Sequence, residues 1–131
     1  MEVFTLMELM ITVVIVAILA ATSVASYSSY AMRSKRTDAR AALATTSTSL
    51  EKCKAIYGVY NNANCSIGDG DSVDSSDRFY TVGVATTATT FTLTATPVAG
   101  TSQEGDTDCT SLILDHLGVQ TATGDTPLDC W

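Results

Sequence analysis

The sequence LMITVVIVAILAA at residues 9–21 decides the fold, because it holds no charge and only one polar residue, Thr12. Apart from Glu8, the apolar run extends over residues 4–25, and at about 1.5 Å per helical residue it would span roughly 33 Å. This length is enough to cross the hydrocarbon core of a membrane. A cleaved secretion signal would start with basic residues, which the first three residues, MEV, do not supply. We therefore predict a membrane-spanning helix in which the carboxylate of Glu8 is costly and needs an explanation.

The charges divide the chain of 131 residues into two parts of opposite sign. Six basic residues stand against four acidic ones before residue 55, whereas after it Arg78 alone stands against ten acidic residues. The net charge of −7 therefore comes from the C-terminal part. Because an acidic surface repels phosphate backbones, we do not expect this part to bind nucleic acid. The length leaves room for one modest domain and excludes a large enzyme core.

Four cysteines, Cys53, Cys65, Cys109 and Cys130, lie behind the apolar segment. None belongs to a C-x-x-C pair or adjoins the only histidine, His116, so we predict no metal site and no cofactor. An even number in a small domain behind a membrane segment indicates two disulfides in an oxidising compartment, with three possible pairings. We favour the sequential pairing, Cys53 with Cys65 and Cys109 with Cys130, because each short loop that it closes contributes about 3 kcal/mol in the chain-entropy description.

Residues 4–11, FTLMELMI, resemble the start of mature type IV pilins. In that family a peptidase cuts before the Phe, the new amine is methylated, and a glutamate five residues in is retained. The resemblance implies that Phe4 is the processed and N-methylated residue and that Glu8 serves assembly by compensating the amine, in the membrane or on a neighbouring subunit. A charge in a dry filament core is tolerable when an opposite charge meets it. Tyr27 and Tyr30 also fall where the family commonly has a tyrosine pair.

The same resemblance implies where the chain lies and what it binds. Basic residues follow the apolar run and would keep the C-terminus cytoplasmic by the positive-inside rule, but the cysteines require an oxidising compartment, and we follow the cysteines. We expect a single-pass inner-membrane protein with a periplasmic C-terminus, which becomes extracellular in the assembled pilus. The implied partners are further copies in a helical filament, other pilins, the prepilin peptidase and the pilus assembly machinery. The basic cluster itself, which could contact lipid headgroups or acidic neighbouring subunits, comprises Arg33, Lys35, Arg36 and Arg40.

The helix is predicted to continue over residues 27–57, since this stretch has no Pro or Gly and Gly58 is a natural stop. We expect an α+β fold of the type IV pilin class, in which the membrane-spanning half of a long helix leads into an amphipathic half packed on a small antiparallel sheet. The stripe that should pack on the sheet is Met32, Ala39, Leu43, Leu50, Cys53 and Tyr57. The expected division is 1–3 residual leader or N-terminal extension, 4–26 transmembrane and filament-core helix, and 27–131 globular domain.

A polar loop is predicted over residues 58–77. Its acids allow a calcium hypothesis, because closely spaced carboxylates can supply oxygen ligands, but their spacing is not that of an EF-hand loop. A solvated acidic loop is the favoured interpretation. The acids concerned are Asp69, Asp71, Asp74 and Asp77.

Strands and the second disulfide loop are predicted over residues 78–131, with alternating patterns at 78–85, 90–96, 111–115 and 117–121. His116 is expected in a turn between the last two strands, without a nucleophile or base beside it, so no catalytic residue is predicted. The tail also resembles a disulfide-bearing subset of pilin-like proteins. The residues that carry this looser resemblance are Cys109, Leu112, Leu114, Gly118, Cys130 and Trp131.

These observations predict a structural subunit of a bacterial type IV pilus, serving adhesion, twitching motility or uptake, and no enzyme. A pseudopilin of a type II secretion system shares the N-terminal pattern and is the nearest alternative. A DNA-uptake receptor pilin is another, but it needs an exposed basic stripe where the C-terminal part offers only Arg78. Electron conduction along the aromatic residues is a weaker idea, because aromatics at helical spacing are usually packing residues.

Overall fold

The structure is a computed structural model that describes residues 4–131, except for the side chain of Ala25. It divides into two compact units, Met1–Ala31 and Met32–Trp131. A single helix, α1 (Leu6–Tyr57), contributes residues to both units. The segment 1–3, expected to be a residual leader or an extension, lies outside the described residues.

The C-terminal end of α1 is closed by a glycine. Gly58 adopts φ 78° and its N–H donates to the Lys54 carbonyl at 2.7 Å, which is the left-handed cap that glycine accommodates best. Of the predicted packing stripe, Tyr57 does not belong to the core, since 42% of it is exposed. Tyr60 takes its place there, with its ring edge-on to Phe91 at a centroid distance of 5.0 Å. The stripe residues that are buried are Ala39, Leu43, Leu50 and Cys53.

Five antiparallel strands in the order β1-β2-β3-β4-β5 form the sheet of the second unit. Each strand pairs with the next one along the chain, so the connections are hairpins or short excursions. Two short 3-10 helices lie at Ser102–Gly105 and Pro127–Asp129. The strands are β1 (Ser72–Asp74), β2 (Tyr80–Thr86), β3 (Phe91–Pro97), β4 (Ser111–Asp115) and β5 (Gln120–Thr123).

Two strand predictions need correction. β1 lies inside the segment 58–77 that was predicted to be loop only, because its single apolar residue, Val73, gives no alternating pattern. β5 begins at Gln120 and not at 117, since residues 116–119 form the turn after β4. The carboxylate of Asp115 stabilises this turn by accepting bonds from the Leu117 and Val119 N–H groups, both at 2.9 Å.

The hydrophobic core of the second unit lies between the sheet and the later part of α1. The inward side chains of β2 and β3 alternate with outward ones, as a sheet with one covered face requires. The predicted α+β architecture, a long helix on a small antiparallel sheet, is confirmed. The buried strand residues are Tyr80, Val82, Val84, Phe91, Leu93, Ala95 and Leu112.

Gly124, directly after β5, is the glycine whose replacement should be most harmful to stability. It adopts φ 134°, and a Cβ there would overlap the Asp108 carbonyl and lie 2.9 Å from the Cys109 nitrogen. We expect Gly124→Ala to lower the free energy of unfolding by about 2–3 kcal/mol, measured by urea denaturation. Gly105→Ala is the matched control, because a Cβ at Gly105 meets nothing within 4 Å. Equal stability of the two variants would contradict the close approach at Gly124.

Candidate functional site

The first unit presents an apolar surface that none of the described residues covers. Every side chain that the structure describes between residues 4 and 24 is exposed. An 18-residue window of α1 near the N-terminus has a mean hydropathy of 2.4 and none of it is buried. By length and composition this helix could cross a membrane, and an apolar surface of this extent requires a cover of lipid or protein.

Glu8 lies in the first turn of α1, three residues after Thr5, which directly precedes the helix. Its backbone N–H donates to the Thr5 hydroxyl oxygen at 3.3 Å and to the Thr5 carbonyl at 3.1 Å. The sequence Thr5-Leu6-Met7-Glu8 therefore has the capping-box pattern, and a carboxylate here also interacts favourably with the helix dipole. The sequence analysis missed this local explanation. No partner for the carboxylate oxygens of Glu8 is found within residues 4–131.

The four predicted site cysteines all lie in the second unit and form two bonds. Cys53, in the last turns of α1, is joined to Cys65, with a Cα–Cα distance of 5.5 Å. Cys109, just before β4, is joined to Cys130, with a Cα–Cα distance of 5.7 Å. The first bond ties the polar loop to the helix end, and the second holds the C-terminal segment against the start of β4.

Three of the four residues in the basic cluster are engaged inside the second unit. Arg36 forms a two-bond pair with Asp106, both N–O distances being 2.7 Å. The hydrogen bonds that Arg36 donates to Asp106, together with the negative charge of Asp106, raise the pKa of the Arg36 guanidinium, although burial opposes this. Arg40 donates to the Cys130 carbonyl at 2.8 Å, and Lys35 donates to the Ser102 hydroxyl at 2.7 Å. The cluster therefore stabilises the fold, which leaves Arg33 as its one fully exposed member among the described residues.

A buried polar chain lies next to this ion pair. The Gln103 side-chain amide donates to the Tyr80 hydroxyl at 2.7 Å and to the Met32 carbonyl at 3.2 Å. Burial raises the pKa of Tyr80, while the hydrogen bond from Gln103 opposes that shift. Sequence reasoning found neither Gln103 nor Asp106, because both sit in a Gly- and Thr-rich stretch without periodicity. These contacts anchor the loop after β3 to α1.

The acids of the polar loop act as local caps. Asp69 accepts from the Thr86 N–H at 2.7 Å, and Asp71 accepts from the Gly68 N–H at 2.7 Å. Asp74 accepts from the Thr81 hydroxyl at 3.0 Å. Within residues 4–131 no three His, Cys, Asp or Glu side chains come together as metal ligands. The carboxylates therefore shape the loop, and the calcium hypothesis receives no support from their arrangement.

His116 occupies the turn after β4. Its backbone N–H donates to the Phe91 carbonyl at 3.1 Å, and its ring lies edge-on to the Phe91 ring at 6.4 Å between centroids. Both contacts are structural. They fix the turn to the beginning of β3.

Comparison with solved structures identifies the class of protein that this fold defines. A type IV pilin from Shewanella oneidensis, known at high resolution, matches with a TM-score of 0.52 and 24% sequence identity, over 76% of this chain and 97% of that chain. The chain therefore has the type IV pilin fold. Comparison with curated proteins gives no match.

The family follows from a sequence match that includes residues of both units. Residues 25–113 match the family described as type IV minor pilin ComP, DNA uptake sequence receptor. Because this match spans more than half of the chain, the chain belongs to that family of type IV minor pilins. The resemblance inferred from residues 4–11 and the prediction of a pilus subunit are thereby confirmed, and assembly with other pilins follows from the family.

Proposed function

We propose that the chain enters a type IV pilus by moving its apolar N-terminal helix from the inner membrane into the filament core. The exposed apolar surface of residues 4–24 carries this proposal. Lipid covers that surface first, and helices of neighbouring subunits replace the lipid on assembly. The apolar surface is covered by lipid before assembly and by protein after it, so hydrophobic burial changes little. Packing and polar pairing therefore decide whether a subunit enters the filament.

Before assembly the chain is a single-pass protein with its C-terminal unit in the periplasm, and afterwards it is extracellular. The two disulfides support this orientation, because such bonds persist in oxidising compartments. The prepilin peptidase and the pilus assembly machinery act on it, and its neighbours in the filament are further copies and other pilins. Its role is structural and not catalytic, in a filament used for adhesion, twitching motility or uptake.

Phe4 and Glu8 provide the polar pairing in this mechanism. The peptidase cuts before Phe4, the new amine is methylated, and the Glu8 carboxylate of one subunit meets that amine. Glu8 has no partner for its charge among the described residues, and a carboxylate in lipid or in a dry core is costly until an opposite charge compensates it.

Electron microscopy of sheared filaments tests the proposed function. Filaments from cells that make the chain are labelled with an antibody against residues 28–131. We expect label on long surface filaments, because an exposed apolar helix needs the filament core as its final cover. Label confined to short periplasmic fibres would instead indicate a pseudopilin of a secretion system. Absence of label from every filament would contradict assembly.

DNA binding is the second candidate function, and the description of the family favours it. The surface of this chain does not favour DNA binding. In the second unit the exposed basic side chains are Arg33, Lys52 and Arg78, against eight exposed acids. Phosphate binding needs several lysines or arginines on one face, and the remaining basic residues of this unit are wholly or partly buried.

We therefore expect residues 28–131 to give no gel shift with double-stranded DNA at about 0.15 M salt, with any dissociation constant weaker than about 10⁻⁴ M. The fragment retains both disulfides and the whole hydrophobic core. A titration at low salt serves as the control, since weak nonspecific binding would appear there and vanish as salt is added. A saturable complex in the micromolar range at the higher salt would contradict this expectation and favour the receptor function.

A further inference from the structure

The first strand of the sheet, β1, has an unpaired outer edge. On its inner edge the Asp71 carbonyl accepts from β2 at 2.9 Å, and the Ser75 N–H donates to β2 at 2.8 Å. Because successive residues of an antiparallel strand point their backbone groups to opposite sides, those of Ser72 and Asp74 point away from β2. They bond to no other backbone group in the part of the chain that the structure describes. This edge can therefore accept a further strand.

A groove lies between this edge and α1. Two cavities of about 470 Å³ and about 130 Å³ share Ala41 on the helix and Ser76 after β1, so they are continuous. β1 itself contributes Val73 and Asp74 to the wall. The helix contributes mainly Ser, Thr and Ala over residues 34–49, and these small side chains leave room for another chain beside the strand. The helix side is about 22 Å long, which corresponds to roughly six or seven residues of extended chain.

The charges of the groove favour a basic occupant. Asp38 and Asp77 line it, and the Asp77 N–H donates to Asp38 Oδ1 at 3.2 Å. The Asp38 Oδ2 atom is buried and has no hydrogen-bond partner within residues 4–131. Lys35 also lines the groove, but its ammonium donates to the Ser102 hydroxyl at 2.7 Å and lies 4.4 Å from the centre of the Phe79 ring. A buried carboxylate oxygen without a donor is costly, so a lysine or arginine from outside would stabilise this site.

We propose that an extended basic segment of a partner protein adds to β1 as a sixth strand. Its backbone pairs with Ser72 and Asp74, and one of its lysine or arginine side chains binds Asp38 and Asp77. Three residues separate Asp74 from Asp77, at most about 10 Å of chain, so one segment can make both contacts. In strand addition the backbone bonds supply affinity and the side chains supply specificity. The two carboxylates repel acidic segments, which restricts the pairing to basic ones.

A second copy of this chain does not fit the groove. The exposed basic residues of its second unit are Arg33 and Lys52, which lie in α1, and Arg78, which lies in a turn with φ 58°. None of them stands in an extended segment that could pair with β1. The inference therefore concerns a different protein and goes beyond the proposed function, since it does not depend on filament assembly.

Peptide binding to the full-length chain in detergent tests the proposal. The probe is the acetylated peptide Lys-Val-Thr-Val-Thr-Val-Lys, which favours an extended conformation and has a basic residue at either end. The control peptide has glutamate in place of both lysines. We expect the lysine peptide to bind saturably at about 0.15 M salt and at least about tenfold more tightly than the control. Equal affinities, or no saturable binding of the lysine peptide, would overturn the proposal.

Amide hydrogen exchange locates the bound peptide. Saturation with the lysine peptide should slow the exchange of the Ser72 and Asp74 amides at least about tenfold, because both become hydrogen-bonded. The amides of Thr121 and Thr123 are the controls, since they lie in β5 at the opposite edge of the sheet and should be unchanged. Protection of β5 in place of β1, or of neither strand, would show that the peptide does not extend the sheet at β1.

Asp38→Asn tests the ionic part of the contact. Asparagine keeps an oxygen for the Asp77 N–H but removes the charge, so the affinity for the lysine peptide should fall about fivefold to tenfold. Asp125→Asn is the matched control, because it makes the same change of charge at an exposed acid outside the groove. Equal losses in the two variants would reduce the effect to the net charge of the chain and contradict the proposed site.

The two proposals fail separately. A chain that enters filaments but does not bind the lysine peptide at β1 keeps the proposed function and loses only the sixth strand. A chain that binds the lysine peptide at β1 but never enters filaments loses the proposed function alone.

Discussion

Replacing Arg36 with methionine is expected to lower the free energy of unfolding of the second unit by about 3–5 kcal/mol. The Arg36 and Asp106 side chains are 3% and 2% exposed, and two hydrogen bonds of 2.7 Å join them. Methionine keeps much of the volume but leaves the Asp106 carboxylate buried without its counter-charge. Asp108 lies 3.8 Å from the guanidinium and would add a second negative charge to the uncompensated site.

Urea denaturation of residues 28–131, with both disulfides intact, measures this loss. Arg33→Met is the matched control, because Arg33 is an exposed arginine on the same helix and its replacement should cost less than about 0.5 kcal/mol. The double variant Arg36→Met with Asp106→Leu should recover most of the stability. Apolar residues can often replace a whole buried ion pair, whereas removal of one partner leaves the other charge buried without compensation. A loss below about 1 kcal/mol for Arg36→Met would show that water reaches the carboxylate and that the pair is not structural.

The contacts of the basic cluster could not be predicted from the sequence. A run of Arg and Lys close behind an apolar helix suggests lipid headgroups or acidic neighbours, and nothing local contradicts that interpretation. The partner of Arg36 is 70 residues away and that of Arg40 is 90 residues away. Neither partner stands out, because one is an aspartate among many and the other is a backbone carbonyl. Only the folded chain brings them to the helix.

The elements that the sequence predicted well carry strong local signals. The long helix has an uninterrupted apolar run and a glycine stop, and β4 at residues 111–115 follows an L-x-L pattern between turn residues. β1 was missed because three residues with one valine give no period. The exposed position of Leu128 could not be predicted either, since the sequence around Pro127 is equally compatible with a buried leucine.

Replacing Glu8 with alanine is expected to leave the chain in the membrane fraction but to lower the yield of sheared filaments at least tenfold, if the pairing contributes about 1.4 kcal/mol or more. The structure adds a competing local role, because Glu8 lies in the first turn of α1, where a carboxylate interacts favourably with the helix dipole. The effect of a weaker helix start must therefore be distinguished from the effect of losing the charge.

Two further variants make this separation. Thr5→Ala removes the hydroxyl that caps the helix, at a cost of about 1 kcal/mol, but keeps the carboxylate, so its filament yield should stay within about twofold of wild type. Glu8→Gln removes the charge but keeps the size of the side chain, and its yield should be intermediate or as low as that of Glu8→Ala. Mass spectrometry of the filament chain shows whether it begins at Phe4, because retained residues 1–3 would move the amine away from Glu8. Since the carboxylate is what these substitutions remove, equal filament yields from wild type, Glu8→Gln and Glu8→Ala would show that the Glu8 carboxylate plays no part in assembly.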